Sequence, residues 1–323
     1  MRVLVTGGAG YIGSQFVYAL LDNDIIPVVV DDFSTGNPNL IPKNIDIIEA
    51  DIGNSDDILK IFSNYKFDAV VHFAASTIVS ESVENPLKYY ENNTQKTFNF
   101  LKAFINSGIK SFIFSSTAAV YGEPKKTFIN ESISTNPINP YGKSKLMSEN
   151  IIIDCLEKSK SNFIIMRYFN VAGSDPKLRT GQISKNATHL IKVACETAVG
   201  KKEKMSLFGI NYNTRDGSCI RDYIHVFDLA NAHVKALNYL FSGGKSEILN
   251  CGYSRGYSVL EVIKAVKKIS GIDFKVEIKP PRAGDPSELI ADTKKLRKTL
   301  NWKPKKDSLE LIIQDALEWE KLN

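Results

Sequence analysis

The sequence predicts an α/β protein: a doubly wound parallel Rossmann sheet followed by a smaller C-terminal α/β substrate domain. Three observations lead there. Short apolar, β-branched runs alternate with segments whose apolar residues recur at three and four positions. A glycine-rich loop stands between the first run and the first such segment, and the alternation stops near residue 170. Alternating strand and helix periods imply parallel strands joined by crossover helices, because a parallel pair needs a long connection.

Taken in order, the strands are expected at Arg2–Thr6, Ile26–Asp31, Ile45–Ala50, Phe67–Phe73, Ser111–Ser115 and Phe163–Tyr168. The helices between them are expected at Tyr11–Leu21, Ser55–Ser63, Leu87–Ile105 and Tyr141–Lys158. Past Asn170 an irregular polar stretch, Gly173–Asn186, leads into a helix over Ala187–Val199. The tail from residue 257 returns to helix, strand (Phe274–Ile278), a Pro280-Pro281 break and two more helices. The expected division is residues 1–170 for a dinucleotide and 171–323 for a substrate, with a segment such as Asp222–Tyr239 packing back on the first domain.

Composition narrows the function classes. With 41 Lys and Arg against 36 Asp and Glu the net charge is +5, too small for a nucleic-acid footprint unless the charge is clustered. The densest basic stretch, Lys294–Lys306, also carries Leu296, Leu300 and Trp302 at helical spacing, so it reads as a solvated amphipathic helix. No run of eighteen apolar residues is present, and the first strand begins at Arg2, leaving no room for a signal peptide. Cys155, Cys195, Cys219 and Cys251 are spaced too widely for a zinc signature, and no metal is called for. A cytoplasmic protein that contacts neither membrane nor nucleic acid is expected.

The loop Thr6-Gly7-Gly8-Ala9-Gly10-Tyr11-Ile12-Gly13 follows a strand and opens a helix. Glycines there allow a tight turn and close approach of the backbone to a pyrophosphate, while the helix start offers unpaired N–H groups. Asp31 lies eighteen positions beyond Gly13 at the end of the second strand. Followed by Asp32, it would accept hydrogen bonds from an adenosine ribose and repel a 2′-phosphate, which favours NAD over NADP.

Tyr141 and Lys145 stand four apart at the start of a helix and project from one face. A neighbouring ammonium favours the phenolate, so Tyr141 is expected to have a lowered pKa and to act as a base on an alcohol. Upstream, Phe114-Ser115-Ser116-Thr117-Ala118-Ala119-Val120-Tyr121-Gly122 runs from a strand end into a loop. Ligands in open α/β sheets bind beyond such ends, and Thr117 is placed to bridge substrate and Tyr141.

These motifs resemble those of the extended short-chain dehydrogenases/reductases, and more narrowly those of the UDP-glucose 4-epimerases. The resemblance extends over Thr6–Ser14, Val71–Ala75, Asn92-Asn93, Phe112–Gly122, Pro140–Glu149, Arg167–Gly173, Cys219–Val226 and Arg282–Asp285. It implies NAD held by Gly7, Gly10, Tyr11, Ile12, Gly13, Asp31, Asp51, Ile52, Phe73, Ala74, Ala75, Asn92, Ser115, Tyr141, Lys145 and Tyr168. It implies Tyr141 as acid/base, Lys145 at the nicotinamide ribose, and Thr117 as relay. Asn170, Leu190, Phe208, Arg221, Tyr223, Arg282 and Asp285 match positions that grip UDP, together with Thr117 and Tyr141 at the sugar. Thr77 and His189 depart from residues that some members carry.

The activity implied is inversion at C4 of a UDP-hexose through a transient 4-keto sugar. Related dehydratases place an Asp-Glu pair after the Ser/Thr, where this chain has Ala118-Ala119. A non-catalytic NAD-sensing protein would have no need of Tyr141, Lys145 and Thr117 together. Leu289 stands where some members carry a bulky Tyr, which suggests room for an N-acetyl group and activity on UDP-N-acetylglucosamine as well. An epimerase restricted mainly to that sugar, or acting on another nucleotide sugar, is the alternative. Relatives dimerise through helices matching Leu87–Ile105 and Tyr141–Lys158, so a homodimer is implied.

Overall fold

The computed structural model describes residues 1–184, 187–282 and 286–323. The chain forms two compact units. One comprises Met1–Gly122, Ser134–Arg167 and Ala230–Leu249, and the other Glu123–Ile133, Tyr168–Leu229 and Asn250–Asn323.

The first unit is built on a seven-stranded sheet. Its order from one edge is Glu247–Cys251, Asn162–Tyr168, Ser111–Thr117, Ala69–His72, Arg2–Thr6, Ile26–Asp31 and Asp46–Glu49. The first, second, third, fourth and fifth strands in the chain pair in parallel. Val3–Val5, Val28–Val30, Val70, Val71 and Phe112–Phe114 are buried, as continuous apolar runs must be in a sheet covered on both faces. Leu4, Val70, Phe100, Phe104, Phe112, Ile152 and Ile165 belong to one core cluster.

Strand order reverses between Arg2–Thr6 and Ala69–His72, so their outgoing loops leave to opposite sides and open a crevice. Gly7 lies at φ +66°, and a Cβ there would stand 2.5 Å from the Ala74 nitrogen. Only glycine permits both the left-handed turn and that approach.

Strand and helix positions follow the periodicities within one or two residues, with two exceptions: the helix expected at Ala187–Val199 spans Leu190–Ala198, and a longer one is broken up. The expected helix Leu87–Ile105 is a short helix Pro86–Tyr89, a π-helical stretch Tyr90–Gln95 and a helix Lys96–Ser107. The wider turn lets two successive asparagines bond inward. Asn92 donates to the Ser76 hydroxyl at 3.0 Å, and Asn93 donates to Ser144 at 3.0 Å while accepting from the Ser76 N–H at 2.8 Å. Such bulges collect at functional sites.

The second unit contains a sheet of five strands. Gly256–Ser258, Ile220–His225, Glu288–Ala291 and Phe128–Ile129 follow in order, and Asn170–Ala172 pairs with Ile220–His225. Lys204–Phe208 and Lys275–Lys279 form a separate parallel pair. Helix Val259–Ser270 starts at a capping box between Ser258 and Glu261, two orphan groups satisfied reciprocally. The basic stretch folds as a helix, Lys294–Leu300, that buries Leu296 and Leu300, and Trp302 beyond it donates to the Asp228 carbonyl at 3.2 Å.

The units are not separated by one cut near residue 170. Ala230–Leu249 belongs with the first because the strand Glu247–Cys251 supplies the sheet's edge, and Glu123–Ile133 belongs with the second because Phe128–Ile129 pairs with Glu288–Ala291. Among the described residues, no helix is long and apolar enough to cross a membrane.

Candidate active site

The glycine loop lies at the crevice. Gly10 caps helix Tyr11–Leu21 and has no side chain with which to cap it, and a helix start of that kind suits an anion. A Cβ on Gly13 would stand 2.2 Å from the Gly7 carbonyl oxygen, whereas one on Gly10 would meet that oxygen alone, at 3.3 Å. Gly13 is thus demanded by internal packing and Gly10 by the space in front of the loop. Tyr11 is half-buried and Ile12 also lies in this first turn, its side chain partly covered.

Asp31 is buried at its strand end and accepts the N–H groups of Ala9 at 2.9 Å and Phe33 at 3.0 Å. Burial raises its pKa, opposed by those two donors. Asp51 receives Lys96 at 2.7 Å and the Gly53 N–H at 2.8 Å, while Ile52 lies in the core. Phe73 packs against Phe16, with ring centroids 5.4 Å apart, and Ala74 and Ala75 continue the loop facing Gly7. Ser115 lies near the end of its strand and Tyr168 is buried at the end of the next.

Thr117, Tyr141 and Lys145, the expected catalytic trio, all lie within the first unit. Thr117 ends the strand Ser111–Thr117, and its hydroxyl oxygen accepts the Ala119 N–H at 3.1 Å. The Thr117 hydroxyl is near enough to the phenol of Tyr141 to lower its pKa. Tyr141 occupies the first turn of helix Pro140–Ser159, where the Asn139 side chain accepts the Gly142 N–H at 2.9 Å and Pro140 fits a position lacking a donor requirement. Tyr89 meets Tyr141 edge to face at 6.3 Å.

Two electrostatic features depart from expectation. Burial holds the Tyr141 phenol above its ordinary pKa, and the nearby Thr117 hydroxyl lowers it only in part. The chain's own groups therefore do not make Tyr141 a ready phenolate, because desolvation outweighs them. Lys145 is 2% exposed, with its ammonium 4.2 Å over the Phe114 ring. Burial drives its pKa down to about 7, with Glu149 opposing the fall.

That shift has a stability consequence. Between pH 7 and 10.5 the unfolded chain holds a proton that folded Lys145 has released, so stability rises with pH across that window. Below pH 7 the fold carries a buried charge. Lys145→Met is expected to raise Tm most at or below neutral pH, by an increment on the order of a few kcal/mol in stability, and hardly at all near pH 10.5. Thermal denaturation of both proteins across pH 6–10.5 checks this, and a Tm lowered at every pH would contradict it.

His72 lies between Phe100, Phe112 and Phe114. Its ring nitrogens bond Thr6 at 2.7 Å and Thr97 at 3.1 Å, and burial lowers its pKa to about 3.

In the second unit, Tyr223 and Asn170 are register partners, as are Arg221 and Leu289. The Arg221 guanidinium donates to the carbonyls of Ile220 at 2.8 Å and Ser287 at 3.4 Å. Arg282 stacks 3.9 Å over the Phe208 ring, an arrangement that holds a guanidinium flat beside an aromatic face. Leu190 opens the helix Leu190–Ala198 after His189, whose ring bonds Gln182 at 2.9 Å and whose pKa burial lowers. Asp285 lies outside the described residues.

The sequence reading passed over a polar cluster behind the trio. Ser116, Glu149, Arg167 and Tyr121 are buried and bonded to one another. The one signal for it was an acid four residues beyond Lys145. Nothing local pointed to Arg167 as its partner.

A glycine loop at the switch point of a parallel sheet, with Tyr141 and Lys145 on a helix facing a hydroxyl-bearing strand end, defines an extended short-chain dehydrogenase/reductase. A family model described as GDP-mannose 4,6 dehydratase matches residues 4–315. A UDP-glucose 4-epimerase of Azospirillum brasilense is 48% identical over 320 residues, covering 99% of this chain and 92% of that protein. Among solved structures, the UDP-Glc/GlcNAc 4-epimerase of Campylobacter jejuni is 48% identical with a TM-score of 0.86, covering 100% of this chain and 99% of that one. The Bifidobacterium longum UDP-glucose 4-epimerase, solved with NAD+ and UDP, is 35% identical with a TM-score of 0.95, covering 100% and 99%. The chain belongs to the UDP-glucose 4-epimerase family.

Proposed function

We propose that this protein interconverts UDP-glucose and UDP-galactose by inverting C4, and that it also accepts the corresponding N-acetylated sugars. The observation carrying the reading is Thr117 at a strand end, its hydroxyl near enough to the Tyr141 phenol to lower its pKa, followed in the chain by Ala118-Ala119 and not by an acidic pair. Ala118 and Ala119 form a 3₁₀ turn there and offer neither acid nor base for expelling water, which argues against dehydration.

NAD fits the first unit. The Gly7–Gly13 loop leaves space in front of Gly10, the start of helix Tyr11–Leu21 suits a diphosphate, and Asp31 suits a ribose diol. Asp51, Ile52, Phe73–Ala75, Asn92, Ser115 and Tyr168 would complete its surroundings. Bound NAD supplies reversible oxidation at C4, with no net redox change over a cycle. Its positive ring together with Lys145 adds what the chain alone lacks for ionising Tyr141.

Tyr141 then takes the 4-hydroxyl proton, directly or through Thr117, and later returns it. Because the Thr117 oxygen already accepts the Ala119 N–H, its own proton is free to point toward Tyr141. Arg221 and Arg282 suit the diphosphate, Phe208 suits the uracil, and Asn170, Leu190, Tyr223 and Asp285 hold the remaining nucleotide. With UDP held, the 4-keto sugar can turn its other face to the reducing group.

Leu289, paired with Arg221 and only partly buried, is a smaller wall than tyrosine. Purified protein is expected to convert both UDP-galactose and UDP-N-acetylgalactosamine when each is supplied alone. Leu289→Tyr is expected to cut kcat/KM for the acetamido sugar by about 10- to 100-fold while sparing UDP-galactose, the range one pocket group commands. No conversion of the acetamido sugar removes dual specificity; no conversion of either favours a non-catalytic NAD-binding role.

The same reading includes a cytoplasmic homodimer. None of the four cysteines is joined in a disulfide, which suits a reducing compartment. Helices Pro86–Tyr89, Lys96–Ser107 and Pro140–Ser159 carry exposed Leu87, Phe98 and Met147, the first at 77%. Sedimentation as a 36.0 kDa species at micromolar concentration would remove the dimer.

A further inference from the structure

Glu149 lies one helical turn beyond Lys145 on the same face, 1% exposed, and no step of the reaction uses it directly. Its carboxylate receives Arg167 through Nε at 3.1 and 3.2 Å and Nη2 at 2.6 Å, and also accepts the Ser116 hydroxyl. Arg167 donates to the Tyr121 hydroxyl at 2.9 Å and lies 4.9 Å over that ring. Ser116 directly precedes Thr117, and Tyr121 closes the turn that follows it. The cluster therefore ties the strand end carrying Thr117 to the helix carrying Tyr141 and Lys145.

A buried ion pair is a poor device for stability alone, since apolar residues of similar volume often serve as well or better. This one lies where a second buried cation needs a counter-charge. Around Lys145 the titratable groups are few. Glu149 is on its own helix, and His72 comes from the strand Ala69–His72, uncharged because of its burial. Tyr141 stands one turn back, and Phe114 beneath the ammonium carries no charge. Glu81, on the neighbouring helix Val79–Glu84, is occupied by Lys88 at 2.6 Å and Tyr89 at 2.8 Å. Arg167, from the strand Asn162–Tyr168, faces Glu149.

We propose that Glu149 is a positioning residue of the reaction: partly balanced by Arg167, it keeps Lys145 protonated and fixes the strand end that presents Thr117. The proposal rests on Tyr141 and Lys145 being the reactive pair. Both charges matter, because Glu149 favours the ammonium while Arg167 restrains that influence. Their removal has opposite consequences for Lys145.

The test is the pH profile of kcat for the NAD-loaded enzyme. Activity needing protonated Lys145 falls on the alkaline side. Glu149→Gln removes the favourable charge and leaves Arg167 unopposed, so that limb should move toward acid by on the order of one pH unit, with KM little changed. Arg167→Met leaves Glu149 unopposed and should move it toward alkali, whereas Arg167→Lys, which keeps the charge, should leave it near wild type. Loss of packing alone would not give opposite shifts.

Should a single variant fail to fold, the double variant Glu149→Gln/Arg167→Met leaves neither half of that ion pair unopposed, and its limb should also lie on the acid side of wild type. Limbs that superimpose on wild type, or single variants that shift together, overturn the proposal. Tyr141→Phe and Lys145→Met distinguish the underlying reading. If either keeps the wild-type rate, the reactive pair is wrong; if both are inactive while the Glu149→Gln limb stays in place, only the role of Glu149 falls.

Discussion

Tyr141→Phe is expected to bind NAD and melt like the wild type, yet to lose on the order of 10³-fold in kcat for UDP-galactose, within the span that positioned acid–base groups supply. The substitution removes one oxygen from a half-buried ring. It leaves the edge-to-face contact with Tyr89 and the Asn139 and Pro140 helix start intact. The group lost is the phenol whose pKa the Thr117 hydroxyl lowers. Coupled product analysis, bound-NAD content and thermal melting on the same preparation check the result. A variant retaining more than a tenth of wild-type kcat removes Tyr141 from the acid/base role.

Gly13→Ala is expected to abolish cofactor retention and activity together and to lower Tm. The new Cβ would lie 2.2 Å from the Gly7 carbonyl oxygen and 2.8 Å from the Gly8 Cα, both backbone atoms unable to swing aside. Gly7 has little room to retreat, because the Ala74 backbone packs so closely against it that a Cβ would not fit between them. Overpacking of this kind costs about 1–3 kcal/mol, and here the strain falls on the loop that would meet the diphosphate. Gly10→Ala is the contrast: its Cβ meets only one atom, at 3.3 Å, so folding should be spared while NAD affinity falls. Differential scanning fluorimetry with and without added NAD separates the two. A Gly13→Ala protein with wild-type Tm and full NAD content would contradict the packing argument.

Most of the first unit was legible because its signals are local. The run Arg2–Thr6, the glycines, the helix Tyr11–Leu21 and Asp31 follow one another within a single βαβ stretch, where periodicity and spacing carry the information. Tyr141 and Lys145 were visible for the same reason, one helical turn apart. The π-helical stretch Tyr90–Gln95 was not, since a helical period continues through it and the widening follows from bonds to Ser76 and Ser144 elsewhere in the chain. The second unit was less legible because its strands are short and pair with partners remote in sequence.

The +5 chain of 323 residues thus determined by itself its fold class, its glycine loop and its candidate acid/base pair, all written within segments of one or two elements. Tertiary structure decided what depends on residues meeting across the chain. It made Glu247–Cys251 the edge of the main sheet, joined Arg167 to Glu149, laid Arg282 on Phe208, and drove Lys145 toward neutrality. Burial and long-range pairing have no local period. They arise only when distant side chains lose water together, which is why the charge of Lys145 could be reasoned about only after folding.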